Sequence, residues 1–335
     1  MKRKEQSKSH FKLENKIIFN NDVKSNFLVE KKIGIIGYGN QGRAQALNLK
    51  DSGYNVKIGL REGSESIKKC IEDGLNSIDI FDLVLWSDII CLLIPDVEML
   101  NVYNLYLEKN LKSSQTLLFS HGYVIHYKLI IPPDYVNTIM VAPSGGGAMV
   151  RDSYVKESGI PNLLAVYNDF SGQSIDIVKE YSKAIGGTRA GSFFSTFSEE
   201  TETDLFGEQS ILTGGIPYMI NTSFKVLLEY KYDPIVAWFV CYYELKTIVD
   251  LFHDKGINYL YDSISDTARY GGMVKGKFLL GEEFEEKLHV LLSDIKSGEF
   301  HKELTSSQRE TLDDSDFKEL NNVSNQLLKI LKNKE

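Results

Sequence analysis

The chain is poor in cysteine, in positive charge and in long apolar runs, and each shortage excludes a class of protein. Its three cysteines, Cys70, Cys91 and Cys241, lie far apart in apolar contexts. That pattern fits neither a disulfide framework nor a zinc site and reads as buried thiols in a reducing compartment. No apolar run approaches the roughly 20 residues of a membrane-spanning helix. Lys and Arg number 38 against 46 Asp and Glu, a net charge of -8, which argues against a nucleic-acid or anionic-membrane partner. The only basic cluster is the opening MKRKEQSKSH. With no apolar core behind it, it reads as a solvated tail over residues 1–14 rather than a signal peptide. No internal repeat or low-complexity segment is present. What remains is ordinary: 335 residues, 42% hydrophobic and 25% charged, which fits a soluble, cytoplasmic, two-domain protein of enzyme size.

From residue 30 to residue 195, strand-like runs alternate with amphipathic segments. Lys32–Ile36, Asn55–Ile58, Asp88–Leu93 and Thr116–Phe119 are short and apolar or β-branched. Continuous apolar strands separated by helices predict a parallel sheet covered on both faces. After Ser198 the texture changes to long helical stretches with little Gly or Pro. One of them opens at Asp233-Pro234, an N-cap followed by Pro at the first helical position, and closes at Lys255-Gly256. The expected division is a Rossmann-type α/β domain over 15–197 and an all-α domain over 198–328.

Gly37-Tyr38-Gly39-Asn40-Gln41-Gly42 follows a strand and opens a helix. In that context the first Gly permits a tight turn, the second admits a pyrophosphate, and the third allows close helix–strand packing. An NAD site usually carries Asp or Glu at the end of the next strand, about 20 residues on. Here that strand ends in Arg61, followed by Ser64 and Ser66, which suit a 2′-phosphate and so NADPH. Glu62 and Glu65 in the same turn leave a solvated polar loop as the alternative.

The segment Glu199–Gln209 holds five carboxylates, Glu199, Glu200, Glu202, Asp204 and Glu208. Asp204 and Glu208 are four apart, so on a helix they share a face and can reach one hard cation, Mg²⁺ rather than zinc. Taken alone, such a segment is more often a helix start that suits the macrodipole.

The wider sequence changes that balance. The glycine turn, Leu60–Ser64, Ile94-Pro95-Asp96, Ser120-His121-Gly122, Met140–Pro143 and Ile185–Gly191 resemble, in order, the ketol-acid reductoisomerases. The Glu199–Gln209 run looks like that family's signature, and Glu244-Leu245-Lys246 and Ser263-Ile264-Ser265 fall where the family has its second acidic helix and substrate loop. The resemblance spans residues 15–325, and the length fits the short, class I form. It implies a Rossmann domain followed by a knotted all-α domain. It also implies two steps on a 2-acetohydroxy acid: an alkyl shift needing two Mg²⁺ ions, then hydride delivery from NADPH. By match to the motifs, Asp204 and Glu208 become metal ligands, and Glu244 reaches the second metal or the substrate. Ser265 binds the substrate carboxylate, and Ile264 and Ala268 join it and Glu244 around the substrate. His121 becomes the active-site histidine beside the nicotinamide. Tyr38, Gln41, Pro95, Asp96 and Gly147 join the glycines and Arg61, Ser64 and Ser66 around the cofactor. The resemblance further implies a homodimer or higher oligomer, with Glu244 acting across the subunit interface.

The chain departs from the family where the chemistry lies. Val240 stands one turn before Glu244 where the family has glutamate, and Ser144, in Ser144-Gly145-Gly146-Gly147-Ala148, replaces its lysine. Val124 replaces an asparagine, and Asp266 and Arg269 replace an asparagine and a glutamate. Arg269 supplies a positive charge to the site or points into solvent. Losing an anionic ligand weakens a Mg²⁺ site, so the expected activity is reduction of a 2-keto acid or related imino acid with alkyl migration weakened or lost. An ordinary ketol-acid reductoisomerase is the alternative, and a non-catalytic NADPH-binding protein the third reading.

Overall fold

Among the described residues, nine strands form one sheet in the first part of the chain: β1 (Ile17–Ile18), β2 (Lys32–Ile36), β3 (Asn55–Gly59), β4 (Ser77–Ile78), β5 (Ile89–Leu92), β6 (Thr116–Phe119), β7 (Asn137–Pro143), β8 (Asn162–Asn168) and β9 (Ser192–Phe194). Their spatial order is β1-β9-β8-β7-β6-β5-β2-β3-β4. Between them run α1 (Asn40–Asp51), α2 (Ser66–Glu72), α3 (Ile80–Trp86), α4 (Asp96–Val102), α5 (Tyr123–His126), α6 (Gly147–Val155), α7 (Ser174–Ala184) and α8 (Gly187–Ala190). This computed structural model describes residues 17–306 and 315–332, so the tail expected over residues 1–14 lies outside the described residues. The chain divides into two compact units, Met1–Thr201 and Glu202–Glu335, and the division falls within α9 (Phe197–Gly207).

The strands expected from sequence form as the sheet's centre. Ile33, Ile35, Ile90, Cys91, Leu117 and Leu118 are fully buried, as strands covered on both faces require. Each such Ile or Leu contributes about 1.5–3 kcal/mol. Burial also pushes the Cys91 thiol up to about 12, which makes it chemically inert.

The expected parallel sheet needs a correction. β4, β3, β2, β5, β6 and β7 are parallel, but β8 runs antiparallel to β7 and β1 antiparallel to β9. Pro143 pairs directly with Asn162, so the chain re-enters the sheet at the end it left. The reason is α6, which seats against α1 instead of running back down a face of the sheet. At β2 the order reverses, since β3 lies on one side and β5 on the other. That is the switch point at which an open α/β sheet opens a ligand crevice beyond its strand ends.

The second unit is helical: the end of α9, then α10 (Gly215–Glu229), α11 (Pro234–Trp238), α12 (Leu245–Lys255), α13 (Ile257–Ser263), α14 (Asp266–Leu279), α15 (Glu282–Ser297), α16 (Glu299–Thr305) and α17 (Lys318–Lys332). Its core gathers Phe224, Ala237, Trp238 and Leu320, and the Trp238 indole N–H donates to Ser324 Oγ at 2.7 Å. The helix expected from Asp233 to Lys255 starts and stops as predicted. The Asp233 carboxylate accepts from Ile235 N at 2.8 Å, and Gly256 ends the run at φ +86°. Between them, a π-helical turn over Phe239–Tyr243 interrupts it. Among the described residues, no helix is long and apolar enough to cross a membrane.

Candidate active site

The three glycines after β2 differ in what holds them. Gly37 has φ +99°, and a Cβ on it would stand 2.6 Å from Leu93 O and 2.5 Å from Ile94 Cγ2. Only glycine fits where β2 and β5 part. A Cβ on Gly42 would meet Gly37 O at 2.5 Å, so α1 lies directly on the turn. Gly39 has an ordinary φ of -78°, and nothing lies within 4 Å of where its Cβ would be. The protein itself does not demand glycine there. The open space at the N-terminus of α1 fits a pyrophosphate.

Tyr38 points inward from the same turn, 4% exposed, and its hydroxyl donates to Asp73 Oδ2 at 2.8 Å. Arg43 grips the same carboxylate with Nε at 2.7 Å and Nη2 at 2.8 Å. These Arg43 hydrogen bonds hold the Asp73 carboxyl down to about 2, while burial first, and Asp73 second, push the Tyr38 phenol up. Because the folded value lies below the unfolded one, this stability is fully present above about pH 4 and is lost as pH falls toward 2. Asp73→Asn should therefore destabilise the protein by about 1–2 kcal/mol at neutral pH, the partial exposure of Arg43 keeping the loss modest. Urea unfolding followed from pH 7 to pH 2.5 should show the two proteins converging. A gap that stays constant over that range would refute the assignment.

Arg61, Ser64 and Ser66 come together with Gly37, Tyr38 and Pro95 around a cleft of about 180 Å³. Ser64 Oγ accepts from Ser66 N at 3.4 Å, folding the turn so that both hydroxyl side chains line the opening. Glu62 and Glu65 are exposed and do not line it. The carboxylate that does is Glu98 on α4, a residue that sequence reasoning passed over. Asp96 lies against His121.

His121 sits in the turn between β6 and α5. Its Nδ1 lies 3.1 Å from Asp96 Oδ2, a pairing that fixes the ring's orientation and favours the proton on Nδ1. The next residue, Gly122, donates its N–H to Glu200 Oε2 at 2.7 Å, and Thr201 Oγ1 donates to the same oxygen at 3.3 Å. A Cβ on Gly122 would stand 2.6 Å from Phe197 O. The histidine turn is thus pressed onto the first turns of α9 by a carboxylate that is only 4% exposed. Ligand atoms of His121 and Glu200 lie within 4.8 Å of each other. Sequence reasoning counted Glu200 among the acids without singling it out. Its spacing of four from Asp204, repeated from Asp204 to Glu208, was the available signal.

Gln41 Nε2 donates to Gly145 O at 2.9 Å, and a Cβ on Gly147 would overlap the Asn40 carbonyl. Gly147 is therefore glycine because α6 rests on the start of α1. Ser144 donates its backbone N–H to Pro161 O at 2.9 Å. Val124 is wholly buried in α5, so its apolar side chain is a packing choice.

In the second unit Asp204 and Glu208 are both exposed. Asp204 lies in the last turn of α9, and a π-helical turn begins at Glu208 and runs to Leu212. The other π turn of this unit leads directly into Glu244 and contains Val240, 50% exposed. Single π turns interrupting α-helices are frequent at functional sites. Glu244 is exposed and belongs to no cluster of three metal-ligating side chains among the described residues. Ser265 caps α14, its Oγ accepting from Ala268 N at 3.2 Å, with Ile264 just before it and Asp266 in the first turn, where a carboxylate suits the macrodipole. Arg269 Nη1 reaches Asp262 Oδ1 at 3.5 Å, so its charge is partly answered nearby.

Comparisons with known proteins agree with this geometry. Residues 27–191 match the family model "Acetohydroxy acid isomeroreductase, NADPH-binding domain", and residues 197–332 match "Ketol-acid reductoisomerase, C-terminal domain". A ketol-acid reductoisomerase (NADP(+)) from Methanothermobacter thermautotrophicus is 45% identical over 294 residues, covering 88% of this chain and 90% of that protein. The solved structure of an NADH-preferring ketol-acid reductoisomerase from an uncultured archaeon superposes with a TM-score of 0.83 at 39% identity, covering 86% of this chain and 88% of the other. A semialdehyde dehydrogenase NAD-binding protein from Cupriavidus necator shares the fold alone, at 14% identity and a TM-score of 0.62, covering 80% of this chain and 99% of the other. With a dinucleotide-type turn at the switch point of its first unit, an acidic helical second unit, and both family models matched in order, this chain belongs to the ketol-acid reductoisomerase family of oxidoreductases.

Proposed function

We propose that the chain is an NADPH-dependent reductase that transfers hydride to a 2-keto acid or related imino acid with Mg²⁺ assistance, and that its alkyl-migration step is weakened or lost. The observation that carries this reading is a contrast between the two units. The cofactor half keeps the features of its dinucleotide turn: the Gly37 turn, the open Gly39, the close Gly42, and the Arg61–Ser64–Ser66 cleft. The acidic half has an exposed Val240 one turn before Glu244, where the family places a second carboxylate, and the α6 loop carries Ser144 instead of the family's lysine.

Bound NADPH would supply the hydride, and Mg²⁺ would polarise the ketone oxygen. Asp204 and Glu208 offer oxygen donors alone, the chemistry that suits Mg²⁺. Asp96, by accepting the Nδ1 proton of His121, directs Nε2 to give or take a proton at the oxygen that becomes the alcohol. Glu200 keeps that histidine turn seated on α9. Hydride transfer asks for one stabilised alkoxide, whereas the alkyl shift asks for two adjacent oxyanions, so a lost carboxylate falls hardest on the shift. The resemblance also supplies a homodimer in which Glu244 acts across the interface. Tyr230, Tyr270 and Phe278, each at least 73% exposed on the helical unit, support a covering second copy.

An ordinary ketol-acid reductoisomerase is the second reading, favoured by 45% identity over 88% of the chain. Following NADPH oxidation with Mg²⁺ separates the two. The expected result is turnover of 3-hydroxy-3-methyl-2-ketobutyrate, the already rearranged ketone, at least about 100-fold faster than 2-acetolactate. Val240→Glu combined with Ser144→Lys should raise the 2-acetolactate rate by about tenfold or more. Comparable turnover of both compounds by the wild-type protein would establish the second reading. No turnover of either, or of a panel of keto and imino acids, would sink both.

A further inference from the structure

A branched chain of hydrogen bonds crosses the interior of the first unit, with every donor oriented the same way. The Cys91 thiol on β5 donates to the Tyr181 hydroxyl on α7 at 3.5 Å. Tyr181 donates to Gln45 Oε1 on α1 at 2.9 Å. Gln45 Nε2 then donates twice, to Ser120 Oγ at 2.8 Å and to Gln41 Oε1 at 3.1 Å. Gln41 passes the chain on to the Gly145 carbonyl at 2.9 Å. One arm ends on the residue directly before His121. The other ends in the loop between β7 and α6.

Gln45 is 0% exposed, and its neighbours on α1, Ala44, Ala46 and Leu49, are buried apolar residues. A leucine or methionine would fill such a helix position without the cost of burying an amide. The amide is instead fully satisfied, with two protons donated and its oxygen accepting. A satisfied buried network of this kind fixes a unique arrangement of the groups it joins. Here those groups are the helix that begins in the glycine turn and the two loops that flank it.

We propose that Gln45 is a positioning residue that holds the His121 turn and the Ser144–Gly147 loop in register with the glycine turn. One amide thereby couples cofactor binding to the placement of the reacting groups. The inference rests on the NADPH site proposed above. Tyr181 lies on the core side of Gln45, away from both loops, and acts as an anchor only.

The test compares Gln45→Leu with Tyr181→Phe, which removes a buried hydrogen bond from the same chain. Three readouts are needed: the NADPH dissociation constant from fluorescence titration, amide hydrogen exchange without ligand, and kcat on 3-hydroxy-3-methyl-2-ketobutyrate. Gln45→Leu should weaken NADPH binding about tenfold and speed exchange in the His121 and Gly145 loops, with kcat falling about 30-fold. Tyr181→Phe should lower the unfolding free energy and leave the dissociation constant and both loops unchanged. Should Gln45→Leu not fold, Ser120→Ala and Gln41→Met cut the arms one at a time, and each should speed exchange in its own loop alone. NADPH binding and loop exchange unchanged in Gln45→Leu would overturn the inference and leave the proposed function standing. Shifts that merely track lost stability in both variants would do the same. A wild-type protein that binds no NADPH overturns both.

Discussion

Gly39→Ala is expected to fold as the wild-type protein does and to lose NADPH. Nothing lies within 4 Å of the added methyl, and the backbone at φ -78° accepts alanine without strain. Thermal unfolding should therefore stay within about 2 °C, or rise slightly as the unfolded chain loses freedom. The methyl instead enters the space through which a pyrophosphate reaches the N–H groups opening α1. Charge-assisted hydrogen bonds of this kind are worth about 1.5–3 kcal/mol each. Lengthening two of them should weaken binding by about 100-fold or more. Calorimetric titration with NADPH, beside a melting curve, measures both halves of the expectation. An unchanged dissociation constant would mean that the pyrophosphate does not cross Gly39.

Gly147→Ala should do the reverse, damaging the fold first. Its Cβ would overlap the Asn40 carbonyl and stand 2.8 Å from Gln41 N. All of these are backbone atoms at the start of α1, so no side chain can swing aside. To make room, α6 must move back by about 1 Å or more, an overpacking that costs about 3 kcal/mol. For a unit of this size the melting temperature should fall by about 6–12 °C. Cofactor affinity should fall with it, because the retreating loop stretches the Gln41–Gly145 hydrogen bond. A melting temperature equal to wild type would show that α6 does not bear on α1 in solution. Sequence reasoning placed Gly39 and Gly147 alike beside the cofactor. The structure separates what surrounds them: a Cβ on Gly39 would meet open space, and one on Gly147 would meet the backbone at the start of α1.

Much of the first unit was legible because its signals are local. The β-branched run Lys32–Ile36, the glycine turn, and the start of α1 each depend on residues a few positions apart, and all three stand where expected. The same holds for the Asp233-Pro234 start and the Gly256 stop in the helical unit. Arg61, Ser64 and Ser66 were found together because one turn carries them all. The direction of β8 was not legible. A helix that runs back down a sheet and one that stays at its end read alike in sequence, and only the seating of α6 on α1 turns the strand around. The π turns at Glu208 and before Glu244 were hidden for a related reason. They shift hydrogen bonds by one residue without changing the apolar pattern that marks a helix.

By itself, the sequence determined the element types, the cofactor turn and the family. The first two follow from short-range sterics, capping and hydrophobic periodicity, which act within a few residues, and the family from the resemblance of motifs in order along the chain. Tertiary structure alone decided that Asp96 faces His121, that Glu200 holds Gly122, and that Gln45 joins Ser120 to Tyr181. Those partners are 25, 78, and 75 and 136 residues apart in the chain. No local rule links residues at such separations. Asp96 and His121 meet because β5 and β6 are parallel neighbours, so the chain leaves both strands at the same end of the sheet.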